Sequence, residues 1–177
     1  MHARSLAPLA LAASLAAVAP IHALAQAVDT GYLTAESSLS VEDELALRGV
    51  IARLNHALDA EDYALYGSFF ADDGVFVSGF GDAEGPDGVA AAMAKSRPFI
   101  ANKRHLATNL VVSGTPERAV VTSYLAVFER AESLDYVGSA LNVDTLEPRD
   151  GTWKVVRHDS TLDPATIAAM EAAMGAQ

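Results

Sequence analysis

Residues 102–112 read NKRHLATNLVV, and the alternation within them decides the fold. Successive side chains of an extended strand take opposite faces, so His105, Ala107, Asn109 and Val111 share one face and Leu106, Thr108, Leu110 and Val112 the other. The second set is almost wholly aliphatic and is expected to pack against helices or a partner subunit. The first sets a histidine and an asparagine beside a small alanine, which suits either a wet surface or a cavity wall.

Three similar segments follow, RAVVTSYLAVFER (118–130), DYVGSALNVDTLEP (135–148) and GTWKVVRHDST (151–161), rich in Val, Tyr, Thr and Leu and separated by turn signals at SGTPE and PRDG. Consecutive strands with short connections predict an antiparallel meander. Alternation groups Val120, Thr122, Tyr124, Ala126 and Phe128 on one face of the second segment, and Tyr136, Gly138, Ala140, Asn142 and Asp144 on one face of the third. Each such face mixes aromatic, small and polar side chains, as ligand pockets do. If these faces coincide with that of His105, they enclose a pocket.

Upstream the period changes from two to 3.6. Ser40 suits a helix N-cap, Glu42, Asp43 and Glu44 fall in the first turn where the dipole favours anions, and Leu47, Val50, Ile51, Leu54 and Leu58 repeat at helical spacing. A helix is predicted from there to about Asp59. AEDYALYGSFFADDG (60–74) predicts a second helix, capped by Asp62, turning Leu65, Tyr66 and Phe69 inward and stopped by Asp72-Asp73-Gly74. VFVSGF (75–80) reads as a short strand, GDAEGPDG (81–88) as a loop suited to a lid, VAAAMAKS (89–96) as a small third helix, and residues 163–177 as a terminal helix with Asp163 capping and Pro164 at its first position. Helices first and a curved sheet afterwards define one α+β domain.

The 177 residues, 51% hydrophobic and 20% charged, have the composition of a globular domain. Residues 1–25 stand apart: His2 and Arg4 precede the uncharged run LAPLALAASLAAVAPI, and HALAQA supplies the small-x-small pattern of a signal-peptidase site, after Ala25 or alternatively Ala27. A membrane anchor is the rival reading, though Pro20 breaks the run and it barely reaches spanning length. The organisation expected is a cleaved signal peptide (1–25), a flexible leader (26–39), the domain (40–160) and a tail (161–177), in an exported protein, periplasmic or secreted. The absence of cysteine excludes disulfides, thiolate metal sites, cysteine nucleophiles and lipid attachment. Cleavage removes Arg4 and no acid, taking the net charge from −11 to −12. So acidic a chain, without any Lys/Arg run, is a poor partner for nucleic acid or anionic lipid.

Asp59 falls at a helix C-terminus, where the dipole disfavours a carboxylate, with Asn55 one turn earlier. A carboxylate so placed needs a cationic or hydrogen-bonding partner, and His105 is the candidate. Neutral imidazole takes a proton near pH 7, while a buried carboxylate selects its tautomer and stabilises the imidazolium. The alternative for His105 is a core or rim histidine satisfied by the backbone, and for Asp59 a surface acid. His56, His105 and His158 show no metal-ligand spacing, and neither a GxSxG elbow nor a phosphate-binding loop is present.

ALDAEDY (57–63), RHLATN (104–109) and DGTWKV (150–155), in this order and spacing, resemble the SnoaL-like branch of the nuclear transport factor 2-like superfamily over about residues 40–160. The resemblance implies a cone-shaped α+β fold, a curved mixed sheet wrapped around a long helix with a deep apolar cavity, commonly in a homodimer. Scytalone dehydratase and the bile-acid dehydratases are the functional models it suggests. It implies a cofactor-independent lyase or isomerase in which Asp59 orients His105, with Tyr124 and Asn142 toward the substrate. Asn55, Tyr63, Asn109, Phe80 and Phe128 complete the candidate pocket. Leu58, Asn55 and Tyr124 depart from the residues relatives carry there, which leaves substrate and reaction open. A ligand-binding protein without turnover and an assembly module are the competing functions.

Overall fold

The structure is a computed structural model and describes residues 30–79 and 81–175. The expected signal peptide and Phe80 lie outside the described residues.

Helix α1, Val41–Asp59, begins where Ser40 accepts the Asp43 N–H at 3.0 Å. Its inward stripe, Leu47, Val50, Ile51, Leu54 and Leu58, is buried as the spacing requires. Each such side chain contributes about 1.5–3 kcal/mol by leaving water. Helix α2, Tyr63–Ser68, is capped by the Asp62 carboxylate on the Leu65 N–H. It is shorter than expected: Asp72-Asp73-Gly74 does not stop it but lies within strand β1, Phe70–Ser78. With the helix ending at Ser68, Tyr66 turns into the core and Leu65 faces solvent.

The segment expected to be a loop is a strand and a helix start: β2, Gly81–Glu84, folds back on β1, and α3 spans Gly85–Ile100. Strands β3 (Lys103–Thr115), β4 (Arg118–Glu129), β5 (Tyr136–Arg149) and β6 (Thr152–Leu162) form the antiparallel meander. Strand β1 joins β6 in parallel, so the six-stranded sheet is mixed, with order β2-β1-β6-β5-β4-β3 and open edges. Helix α4, Pro164–Gly175, returns against β5. The residues before α1 make a 3-10 turn at Gly31–Thr34 and a bridge from Ser37 to Gly114. No helix among the described residues is long and apolar enough to cross a membrane.

The core lies between α1, α2, α3 and the concave side of the sheet, around Leu47, Phe70, Val89, Val121, Leu146 and Val155. A bulge in β3 decides which residues reach it. Thr108 pairs with Tyr124 but Val111 with Thr122, so Asn109 and Leu110 together oppose Ser123. Asn109 takes a positive φ of 52° there, a conformation asparagine tolerates better than most residues. The extra residue reverses the phase, so Ala107 faces the core before the bulge while Leu110 and Val112 do so after it. Simple alternation, which put Asn109 and Val111 with His105, fails at this point.

Candidate functional site

The last turn of α1 carries Asp59 toward the first residues of β3. Its Oδ1 accepts both Nδ1–H of His105 at 2.8 Å and the His105 backbone N–H at 3.0 Å, while Oδ2 accepts Arg104 Nη1 at 3.0 Å. Arg130 Nη2 donates to the Asp59 carbonyl at 2.8 Å, closing one of the orphan carbonyls at the helix end. Asp59 and His105 are each only 7% exposed. Burial alone would raise the Asp59 carboxyl, but the two His105 hydrogen bonds and the charges of His105 and Arg104 outweigh it and hold the group below the usual carboxylate range. An ionised Asp59 fixes the proton of neutral His105 on Nδ1, leaving the Nε2 lone pair available.

His105 lines a cavity of about 210 Å³. Its walls are largely apolar: Ile51, Leu54 and Leu58 from α1, Met93 and Ile100 from α3, Leu125 and Val127 from β4, Ala140 from β5, and Met170 from α4. Two amides break the apolar lining. Asn55 donates Nδ2 to the Ile51 carbonyl at 2.9 Å, and Asn142 Oδ1 accepts the Ser160 hydroxyl at 2.8 Å, which leaves the Asn142 Nδ2 donors to the cavity. Helix α4 adds Thr166 and Met170 to the lining and is fastened by Thr166 Oγ1, which accepts the Ser139 N–H at 2.8 Å and donates to the Ser139 carbonyl at 3.1 Å.

Of the expected site residues, His105, Asn55 and Asn142 line this cavity, Asp59 stands behind His105 on its Nδ1 without reaching the lining, and four others lie elsewhere. Tyr124 is 52% exposed on the opposite face of β4, and Phe128, also on that face, packs edge-on against Tyr136 at 5.7 Å. Alternation separates two faces without saying which is concave; the aliphatic Leu125 and Val127 are the inward ones. Asn109 is exposed at the bulge. Tyr63 packs at the core's edge with its hydroxyl buried, away from the cavity lining.

A second buried pair was not expected. His158 Nδ1 is 2.6 Å from Asp144 Oδ1, and the two residues are 5% and 2% exposed. They are direct cross-strand partners on β5 and β6. The imidazole stacks on Phe76, with ring centroids 5.0 Å apart and planes at 5°. Tyr66 adjoins the pair, and its burial, followed by the Asp144 charge, pushes the phenol well above the ordinary tyrosine range. The available signal was Asp144 itself, a carboxylate on the same strand face as Asn142, where only a partnered acid is stable.

Fold and site together define a cavity protein in which a mixed sheet wraps a long helix and a carboxylate-held histidine borders an apolar hollow. The chain belongs to the SnoaL-like domain family, whose model matches residues 39–159. Similar solved structures share the nuclear transport factor 2-like, cystatin-like fold. A protein of unknown function from Nostoc punctiforme with a cystatin-like fold is 30% identical, with 72% of this chain and 96% of that one covered at a TM-score of 0.69. A nuclear transport factor 2-like protein from Novosphingobium aromaticivorans is 23% identical, with 73% and 89% covered at 0.63. A Catenulispora acidiphila structure in complex with S-DNPA is 23% identical, with 73% and 99% covered at 0.65. No curated protein matches the chain.

Proposed function

We propose that the protein is a cofactor-independent lyase or isomerase of dehydratase type, acting on a small, largely apolar molecule of polyketide or terpenoid kind. The observation that carries this reading is the His105 imidazole at the wall of an apolar cavity, its Nδ1 held by the buried Asp59 carboxylate at 2.8 Å. Nε2 is then a base aimed at a carbon acid, and a positioned base of this kind contributes about 10² to 10⁴ in rate. Asn142 Nδ2 supplies a donor for a carbonyl oxygen as it gains charge, the electrostatic half of such a reaction. A cavity of about 210 Å³ exceeds the ~150 Å³ apolar cavity that takes benzene, which favours compounds of one or two rings over the four rings of a steroid.

The test compares wild type, His105→Ala and Asp59→Asn on cyclic hydroxy ketones and terpenoid epoxides, following turnover and binding separately. Turnover is expected to fall by about 10² or more in both variants with binding retained. Unchanged rates would remove the pair from the mechanism, and binding without turnover in the wild type would assign ligand carriage instead.

A further inference from the structure

Arg130 stands one residue past the end of β4 and joins the two elements that carry His105 and its acid. Its backbone N–H donates to the Asn102 carbonyl at 3.1 Å, one residue before β3, and its Nε donates to the Lys103 carbonyl at 3.0 Å. From that anchorage Nη2 reaches the Asp59 carbonyl at 2.8 Å, on the last residue of α1. Nε–H and the adjoining Nη2–H are the parallel donors of one guanidinium edge. A single planar group thus spans the end of α1 and the start of β3.

Three observations separate this strut from an ordinary helix cap. In a chain with 23 acids against 12 Lys and Arg, Arg130 places both of its side-chain hydrogen bonds on carbonyls and pairs with no carboxylate among the described residues. A carbonyl at a helix end can be satisfied by water, so capping alone calls for no arginine; what water cannot do is fix the distance between carbonyls of two elements. The third observation is which carbonyls they are. One belongs to Asp59 itself and the other to the residue two before His105, so Arg130 sets the span that the 2.8 Å Nδ1–Oδ1 bond and the 3.0 Å bond from the His105 N–H must close. Arg104 acts on the carboxylate of Asp59, at 3.0 Å, and Arg130 on its backbone.

We propose that Arg130 is a positioning residue for the Asp59–His105 pair, locking α1 to β3 so that the carboxylate keeps the imidazole proton on Nδ1 and the Nε2 lone pair stays available. The proposal rests on the reading of His105 as the base and acts on it through Asp59, without a contact to substrate. A working pair of this kind tolerates only about 0.5 Å and 10–20° of play. Slack between α1 and β3 would pass directly to the imidazole, because Asp59 holds both the ring and the backbone of His105.

The experiment needs no substrate. In ¹⁵N imidazole spectra of the full chain, with His105 assigned through His105→Gln, the tautomer of the ring is read directly, and a hydrogen-bonded Nδ1–H gives a downfield proton signal. Wild type is expected to show His105 as the Nδ1–H tautomer alone, and Asp59→Asn to lose it. Arg130→Gln, checked for folding by circular dichroism, is expected to lose the downfield signal and to show both tautomers. His158, held by Asp144 across β5 and β6, is the internal control and keeps its wild-type signals.

Arg130→Lys keeps the charge without the two parallel donors and is expected to show the same loss. An unchanged His105 signal in either folded variant overturns the proposal. So do His158 signals that move together with those of His105, since the arginine would then serve the fold at large. Wild type lacking the Nδ1–H tautomer overturns the earlier reading of the pair instead.

Discussion

Asp59 shows how neighbours decide what one carboxyl does. Its burial works against ionisation, yet the His105 imidazole, the His105 backbone N–H and the Arg104 guanidinium together hold it below its ordinary value. A carboxyl whose pKa is depressed by folding stabilises the native state fully above the unfolded-chain value of about 3.9, and that contribution is lost as pH falls through the native value. The stability difference between wild type and Asp59→Asn should therefore be constant above about pH 5 and shrink as pH drops below about 4. Denaturant unfolding of both at several acidic pH values measures it. A difference that grows toward acid would contradict the hydrogen-bond geometry at this residue.

At the scale of elements, α4 supplies part of the cavity wall through Thr166 and Met170. Thr166 sits against Gly138, where an added Cβ would lie 2.5 Å from Thr166 Cγ2 and 2.9 Å from its hydroxyl. Since that hydroxyl is also tied to Ser139, the clash cannot be relieved by rotating the side chain without losing those bonds. Gly138→Ala should force α4 off β5 at a cost of about 1–3 kcal/mol, the usual range for overpacking. Hydrogen exchange should quicken along residues 164–175, with weaker binding of any cavity ligand. Adding Thr166→Ala should recover part of the stability, a coupling that a double-mutant cycle reads directly. Bulges act at the same scale: those in β3 and between β5 and β6 set which side chains face inward.

For the whole molecule, the cavity ties stability to occupancy. A ligand at 100 times its Kd adds about 2.7 kcal/mol to the native state, which for a domain of this size raises Tm by roughly 5–11 °C. Thermal shift against the hydroxy ketone panel detects this without turnover, and a cavity-narrowing Ala140→Leu should abolish the shift while leaving the fold intact. Export, cleavage after residue 25 and a homodimeric state complete the proposal for the molecule. The mass of protein recovered from the periplasm and its size by light scattering check each one, and a retained N-terminus would favour an anchor.

Much of this protein is legible along the chain, and the divide between what is and what is not has a physical cause. Helix α1, its Ser40 cap, the four-strand meander and the pairing of Asp59 with His105 rest on local periodicity, capping chemistry or a motif, all carried by residues near one another in the chain or by recurrent spacing. Tyr124, Phe128 and Asn109 were misplaced because alternation is symmetric between two faces and breaks at a bulge. Asp144 and His158 were hidden for the same reason. Counting outward from the turn, where Arg149 pairs with Thr152, sets Asp144 opposite Arg157, an ordinary ion pair. The irregularity between Thr145 and Leu146 moves His158 into that place. The sequence by itself determined α1, α4 and the four-strand meander and which acid meets His105, while β2 and the starts of β1 and α3 escaped it. Only the tertiary structure decided which face is concave and which residues share the hollow, because sheet curvature and bulge position follow from packing the whole sheet on α1 rather than from any local run of residues.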